Sequence, residues 1–205
     1  MHTPNTSSMP IQQKGYTLVE LAIAVAILAV LIVAGLTGVQ GILTSGKVNE
    51  QIKTVAKLNS KLSSNYSSLS TSGVSVATVA NLGGWDYSKV FSSGGASAVR
   101  SAFNSSEFIV TNAAAISGMA ANSGFLYTIT GVPREACPDL ANGIGALVYG
   151  IAVQAAATTP AQVSTYPTAA NVQLKTAGTA TMDPANVATG CGGNANSDFI
   201  IALKP

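Results

Sequence analysis

The hydrophobic pattern of the chain begins with a long apolar run. From Leu21 to Gly46 nearly every residue is apolar, and the run contains no charged residue and no proline. A helix needs about 20 residues to cross a bilayer, where only its own hydrogen bonds can satisfy the backbone. The run is long enough, and it predicts a membrane-spanning helix.

Beyond this run the apolar residues recur at steps of three and four, which is the spacing of one face of a helix. That face consists of Val48, Ile52, Val55, Leu58, Leu62, Tyr66 and Leu69. The pattern predicts one helix from about Thr17 to about Ser68, whose second half packs against a globular head.

A row of lysines, Lys53, Lys57 and Lys61, lies beside the apolar face at steps of four. Glu50 precedes the row and can offset part of the repulsion between these charges. A solvated surface is the favoured interpretation of the row, and a contact between subunits is the alternative.

The segment of residues 71–106 is rich in serine, glycine and alanine, which is typical of a long connection. Short helices are expected within it, around Val76–Leu82 and Ala96–Phe103. We expect three aromatic side chains to pin the connection onto the head rather than to bind a ligand. They are Trp85, Tyr87 and Phe91.

The remaining pattern indicates strands with one inserted helix. The β-rich runs are Glu107–Thr111, Phe125–Thr130, Ala146–Gln154, Val172–Lys175 and Asp198–Leu203. A helix is expected to start at Pro133 and to end at Gly143, shortened or kinked by Pro138. A helix followed by strands predicts an α+β fold, in which the long helix packs on an antiparallel sheet.

Composition narrows the possible functions. The net charge of +2 is too small for nucleic acid to be the main partner. The single histidine, His2, lies at the extreme N-terminus, and the chain has no CxxC pair. No usual metal cluster or Ser-His-Asp arrangement can be assembled from the rest of the chain, so no cofactor and no enzymatic activity are predicted.

The two cysteines, Cys137 and Cys191, lie beyond the predicted membrane helix. An even number of cysteines there suggests a disulfide in an oxidising compartment. Two buried free thiols are the alternative.

Glu20 is the exceptional residue at the start of the apolar run. A carboxylate inside a membrane costs about 2.5 kcal/mol or more, so a partner is expected. Cleavage after Gly15 would give Tyr16 an α-amino group four residues away, and such an amine is cationic near neutral pH. It could pair with Glu20, most usefully with that of a neighbouring subunit.

The order Lys14-Gly15, Tyr16 and then Glu20 before an apolar helix resembles the class III signal peptide of type IV pilins. The resemblance implies that a prepilin peptidase cuts after Gly15 and N-methylates Tyr16, and that Glu20 guides assembly. The alternatives are an ordinary secretory signal ending near Ala34, or a plain membrane anchor.

The second half of the chain resembles the type IVb branch. The run from Thr128 to Cys137 is similar to the strand and helix that carry the first cysteine of those pilins, and Cys191-Gly192-Gly193 is similar to the region of the second. The implied organisation is a leader (1–15), an N-terminal helix (16–69) and a head (70–205). Within the head, residues 71–106 would be the αβ-loop and residues 137–191 the disulfide-bounded D-region.

The resemblance implies the major subunit of a type IVb pilus, a homo-oligomeric filament used for adhesion, aggregation or conjugative DNA transfer. The precursor would lie in the inner membrane, with its N-terminus cytoplasmic and its head periplasmic, before the assembly machinery moves it to the cell surface. A minor pilin or a type II secretion pseudopilin is the alternative. Asp183 and Asp198 are too few and too separated to indicate the calcium site common in pseudopilins. An anchored periplasmic enzyme or binding protein is a remoter alternative.

Overall fold

Helix α1 spans Leu18–Ser64 in the computed structural model. The chain divides into two compact units, one extending to Ile42 and the other starting at Leu43. The structure describes residues 17–69, 74–93, 95–112, 114–167, 169 and 173–204.

In the first unit, α1 is apolar on all sides. Every valine, leucine and isoleucine side chain described from Leu18 to Ile42 is at least 52% exposed. Alanine and leucine favour the helix, and it continues through Gly35, Gly38 and Gly41. Among the described residues, α1 alone is long and apolar enough to cross a membrane. A helix that is hydrophobic all round is normally covered by lipid or by other protein.

In the second unit, the predicted amphipathic face of α1 is confirmed. Val55 and Leu58 are fully buried, and Ile52 is half-buried against the same core. The three lysines of the predicted row, Lys53, Lys57 and Lys61, are exposed. This half of α1 is therefore held by packing on the head as well as by its own hydrogen bonds.

The helix ends earlier than the predicted Ser68. The side chain of Asn65 donates to the carbonyl of Lys61 at 2.9 Å and to Ser64 Oγ at 3.1 Å. Asparagine side chains that bond the backbone in this way compete with helical hydrogen bonds. A separate short helix, α2, follows at Tyr66–Leu69.

The head contains one seven-stranded antiparallel sheet in the order β1-β2-β3-β4-β7-β5-β6. The strands are β1 Val90–Ser93, β2 Ala96–Arg100, β3 Ser106–Thr111, β4 Phe125–Pro133, β5 Gly150–Ala155, β6 Gln173–Lys175 and β7 Asn196–Leu203. The helices of the head are α3 Val76–Asn81, the 3₁₀ turn Tyr87–Lys89, α4 Cys137–Ile144 and α5 Pro184–Gly192.

The two faces of the sheet bury separate clusters. The larger cluster contains the α1 face together with Ile109, Tyr127 and Phe199. The smaller cluster contains Leu126, Ile200 and residues of the loops that cover the opposite face. Because both faces are covered and neighbouring residues point to opposite faces, β4 and β7 are buried nearly throughout.

The predicted helix at Ala96–Phe103 is wrong, because Ala96–Arg100 forms strand β2. It pairs with β1 as a hairpin, in which Ser93 opposes Ala96 and Gly95 adopts a φ of +82°. Glycine adopts this left-handed conformation without strain, as hairpin turns require. Pairing and the burial of Ala98 therefore outweigh the helix propensity of alanine.

The predicted helix start at Pro133 is also wrong. Pro133 ends β4, where it lies opposite Asn196 of β7. Helix α4 begins at Cys137, so Pro138 occupies its first turn and causes no kink. Gly143 lies inside the helix rather than beyond its end. A Cβ atom there would come within 2.2 Å of the Ile52 side chain, so the close approach of α4 to α1 favours glycine at this position.

Three further details differ from the sequence prediction. Residues 146–149 do not begin a strand, since Leu147 closes a turn by donating to the carbonyl of Ile144 at 2.8 Å. Helix α5 was not predicted at all. Of the aromatic residues expected to pin the connection, Trp85 is buried and Phe91 is half-buried beneath Arg100, but Tyr87 is 64% exposed.

Candidate assembly site

The start of α1 is fixed by Thr17. Its hydroxyl accepts a hydrogen bond from the backbone N–H of Glu20 at 3.3 Å, and its carbonyl accepts from Leu21. A threonine at this position satisfies a donor that the first helical turn would otherwise leave free. Sequence reasoning missed this role, although the order Thr-x-x-Glu is a known helix-start pattern.

Glu20 lies in the first turn of α1 and is exposed. It is the only charged residue between Tyr16 and Lys47. A negative charge near the N-terminus of a helix interacts favourably with the helix dipole. Gly15 and Tyr16, the predicted cleavage and methylation residues, lie outside the described residues, so the pairing of Glu20 with Tyr16 stays a prediction.

The charges on the second half of α1 face outward. Glu50 forms an ion pair with Lys89 of the 3₁₀ turn at 3.4 Å, and both side chains are more than half exposed. The sequence analysis had instead paired Glu50 with the lysine row that begins at Lys53. An exposed pair of this kind contributes about 1 kcal/mol at most, so it positions the turn more than it stabilises the head.

The predicted disulfide joins Cys137 to Cys191, whose Cα atoms are 5.6 Å apart. It connects the first residue of α4 to α5, and both cysteines are buried. The closed loop includes β5 and β6, so the bridge ties these strands to the rest of the sheet. Closing a loop of this length stabilises the fold by about 4 kcal/mol in the chain-entropy model.

We expect Cys137→Ser to lower the thermal stability of the head and the amount of the chain that accumulates, because the loop-closure contribution of about 4 kcal/mol is lost. On non-reducing gels the wild-type chain should migrate faster than the reduced chain, and the variant should show no such difference. Quantitative alkylation of both thiols in the native wild-type chain would contradict the bridge.

The two aspartates considered as calcium ligands accept hydrogen bonds from backbone N–H groups instead. Asp183 caps α5 by accepting from the N–H of Ala185 at 2.9 Å. Asp198 accepts from the N–H groups of Gly131 and Ala157 at 2.8 and 3.1 Å. Burial raises the pKa of Asp198, which these two hydrogen bonds counteract. Within the part of the chain that the structure describes, no group of three or more potential metal ligands is found.

The comparisons with known proteins concern both halves of the molecule. Residues 11–36 match the prokaryotic N-terminal methylation motif. The solved structure of TcpA, a type IV pilin from Vibrio cholerae El Tor biotype, is similar with a TM-score of 0.55 and 16% identity, over 77% of this chain and 98% of that one. The type IVb pilin from Salmonella typhi gives a TM-score of 0.53 and 13% identity, over 77% and 99%. No curated protein sequence matches the chain significantly.

The fold is that of type IV pilins. The predicted α+β architecture, a long N-terminal helix followed by an antiparallel sheet, is therefore confirmed. The methylation motif, which contains Gly15, Tyr16 and Glu20, and the pilin fold agree with the resemblance to type IV prepilins.

The motif and the apolar helix fit a membrane-anchored precursor that becomes part of a pilus. The motif implies processing by a prepilin peptidase and then assembly. The two structures named here are pilins, which are structural proteins rather than enzymes.

Proposed function

We propose that the chain is the major structural subunit of a type IVb pilus. In this proposal a prepilin peptidase removes residues 1–15 and methylates Tyr16. Residues 16–69 then form the assembly helix and residues 70–205 the head. The filament reaches the cell surface, where it serves adhesion, aggregation or conjugative DNA transfer.

The observation that carries the proposal is the exposed apolar surface of α1. All its large apolar side chains up to Ile42 are at least half exposed. Fully burying one such side chain contributes about 1.5 to 3 kcal/mol. Once the subunits have left the bilayer, helices packed side by side in the core of a filament keep these side chains out of water, so separation of the subunits would cost this contribution many times over.

The second half of the molecule suits the outside of a filament. The head has its own sheet and core, and its disulfide keeps α4, α5 and the strands between them together. On the outside of a filament, the exposed lysines Lys53, Lys57 and Lys61 would stay in contact with water. Disulfides persist in oxidising compartments, which agrees with a head that is exported from the cytoplasm.

The proposed orientation in the membrane rests on the disulfide of the head. Lys14 precedes the apolar run, but Lys47, Lys53, Lys57 and Lys61 follow it, so the flanking cations do not decide the orientation. A disulfide persists in an oxidising compartment and so favours a head outside the cytoplasm. The proposal therefore places the leader in the cytoplasm, where the peptidase can reach Gly15, and the head in the periplasm. Assembly-machinery proteins of the inner membrane would then draw the subunit out of the bilayer.

Mass spectrometry of filaments sheared from cells tests this function. A mature chain that starts at an N-methylated Tyr16 and dominates the sheared material is expected for a major subunit. A trace amount would indicate a minor pilin. Retention of the processed chain in the membrane fraction, with none in the sheared material, would indicate a pseudopilin.

A further inference from the structure

A buried polar cluster connects four elements of the head. We call it the Glu107 cluster; it consists of Gln51 from α1, Trp85 from the segment after α3, Glu107 from β3 and Tyr127 from β4. The Gln51 amide donates to Glu107 Oε1 at 2.8 Å and to the Tyr127 hydroxyl at 3.0 Å. Gln51, Glu107 and Tyr127 are each at most 2% exposed.

Gln51 also connects the cluster to the chain between β2 and β3. Its Oε1 accepts a hydrogen bond from the backbone N–H of Ala102 at 3.1 Å. The side-chain amide of Gln51 thus binds both Glu107 and the backbone of Ala102. A change in the carboxyl group therefore acts on the attachment at Ala102 through Gln51, and on Trp85 through Tyr127, whose ring lies against the Trp85 ring.

A cavity of about 160 Å³ adjoins the cluster and gives it room to change. Glu107, Trp85 and Ala102 line the cavity. The charged groups that face it are Glu50 and Lys57 from α1, Asp86 and Lys89 around the 3₁₀ turn, and Arg100 from β2. Glu107 itself has only neutral hydrogen-bond partners among the described residues.

We propose that Glu107 is a protonation switch, whose neutral carboxyl keeps residues 85–93 and 95–102 docked on α1 and the sheet and whose ionised carboxylate loosens them. The neutral form suits a buried site, whereas a buried carboxylate without a cationic partner requires water. The adjoining cavity can admit that water if Trp85 and Ala102 move outward. This property belongs to the head alone and does not depend on polymerisation.

The raised pKa of Glu107 places its change of protonation near neutral pH. Burial raises the pKa of Glu107 from 4.5 to about 7, although the hydrogen bonds from Tyr127 and Gln51 and the charge of Lys89 lower it. Because the docked form binds the proton more tightly than an open form, docking weakens as pH rises from about 4.5 to about 7 and is constant above that range.

Trp85 is a built-in reporter for this change. It is the only tryptophan in the chain, it is 6% exposed, and its ring centroid lies 5.9 Å from that of Tyr127. For the full chain in a non-ionic detergent, we expect Trp85 fluorescence to titrate with a midpoint near pH 7. Glu107→Gln, which keeps the shape but cannot ionise, should abolish the transition.

A matched control and a second variant make the test specific. Glu50→Gln changes an exposed carboxylate on the wall of the same cavity and should leave the transition in place. Tyr127→Phe removes a hydrogen bond that favours the ionised form of Glu107 and should move the midpoint to higher pH. A merely structural role of Glu107 would not shift a titration midpoint in this direction.

Hydrogen exchange then distinguishes local loosening from general destabilisation. Wild type and Glu107→Gln are compared at the same pH, so the intrinsic pH dependence of exchange cancels. Above pH 7, peptides covering residues 85–102 should exchange faster in wild type, by up to on the order of a hundredfold. Peptides covering β5 and β7 should not differ. A transition that persists in Glu107→Gln, no transition in wild type, or a uniform change across the head would each overturn the proposal.

Discussion

Gly15→Val is expected to leave the full-length precursor in the inner membrane and to abolish filaments. The proposed cleavage site lies within the matched methylation motif. A peptidase must bring its catalytic groups close to the backbone at Gly15, and a β-branched side chain obstructs that approach and stiffens the chain. The measurement is the mass of the membrane-bound chain, combined with electron microscopy of the cell surface.

Gly35→Val is the matched control for this experiment. It makes the same chemical change within the motif, at a helical position where a Cβ atom would have no neighbour within 4 Å. We expect normal cleavage of this variant, whatever its effect on packing between subunits. Normal cleavage of Gly15→Val itself would contradict the assignment of Gly15 as the cleavage site.

Glu20→Ala is expected to be inserted and cleaved but to assemble poorly. Without a partner, Glu20 is a cost of about 2.5 kcal/mol or more in the bilayer, so its removal should not impair insertion. Paired with the Tyr16 amine of a neighbouring subunit, it would fix the axial offset between the two helices. The measurement is the ratio of surface to membrane chain at matched expression.

Two variants sharpen the Glu20 experiment. Glu20→Asp keeps the charge on a shorter side chain and should assemble only partly better than Glu20→Ala. Glu50→Ala removes an exposed carboxylate from the same helix, where the ion pair with Lys89 contributes little, and should keep a wild-type ratio. A wild-type ratio for Glu20→Ala would show that Glu20 has a use other than pairing.

The features that the sequence predicted well are those with a strong local signal. The apolar run and the amphipathic face of α1 each repeat over many turns, so tertiary contacts did not alter them. The disulfide followed from there being only two cysteines. Strand β7 was predicted because its apolar run is continuous, as expected for a strand buried on both faces.

The failures arose where local and tertiary preferences compete. Ala96–Arg100 has helix-forming residues, but a turn at Gly95 and a partner strand make it β2. Helix α5 carried a readable signal in Asp183-Pro184, an N-cap followed by proline in the first turn, which was overlooked.

The Glu107 cluster could not be predicted from the sequence. Gln51 and Glu107 are 56 positions apart, and nothing in their own segments indicates that they meet. In sequence, Glu107 is only the polar first residue of the predicted β-rich run Glu107–Thr111. Only the register of β3 against β4 and the packing of α1 place its carboxyl in the interior.

The position of β7 has a consequence for the order in which the head can fold. This strand, the last one that the structure describes, lies between β4 and β5 and pairs with both. Until β7 is in place, β1–β4 and β5–β6 cannot join into one sheet, and β4 and β5 each keep an unpaired edge. Such edges are prone to pair with other chains. A head that lacks β7 therefore exposes edges that are open to misassociation, and the strand order delays their closure until this strand is in place.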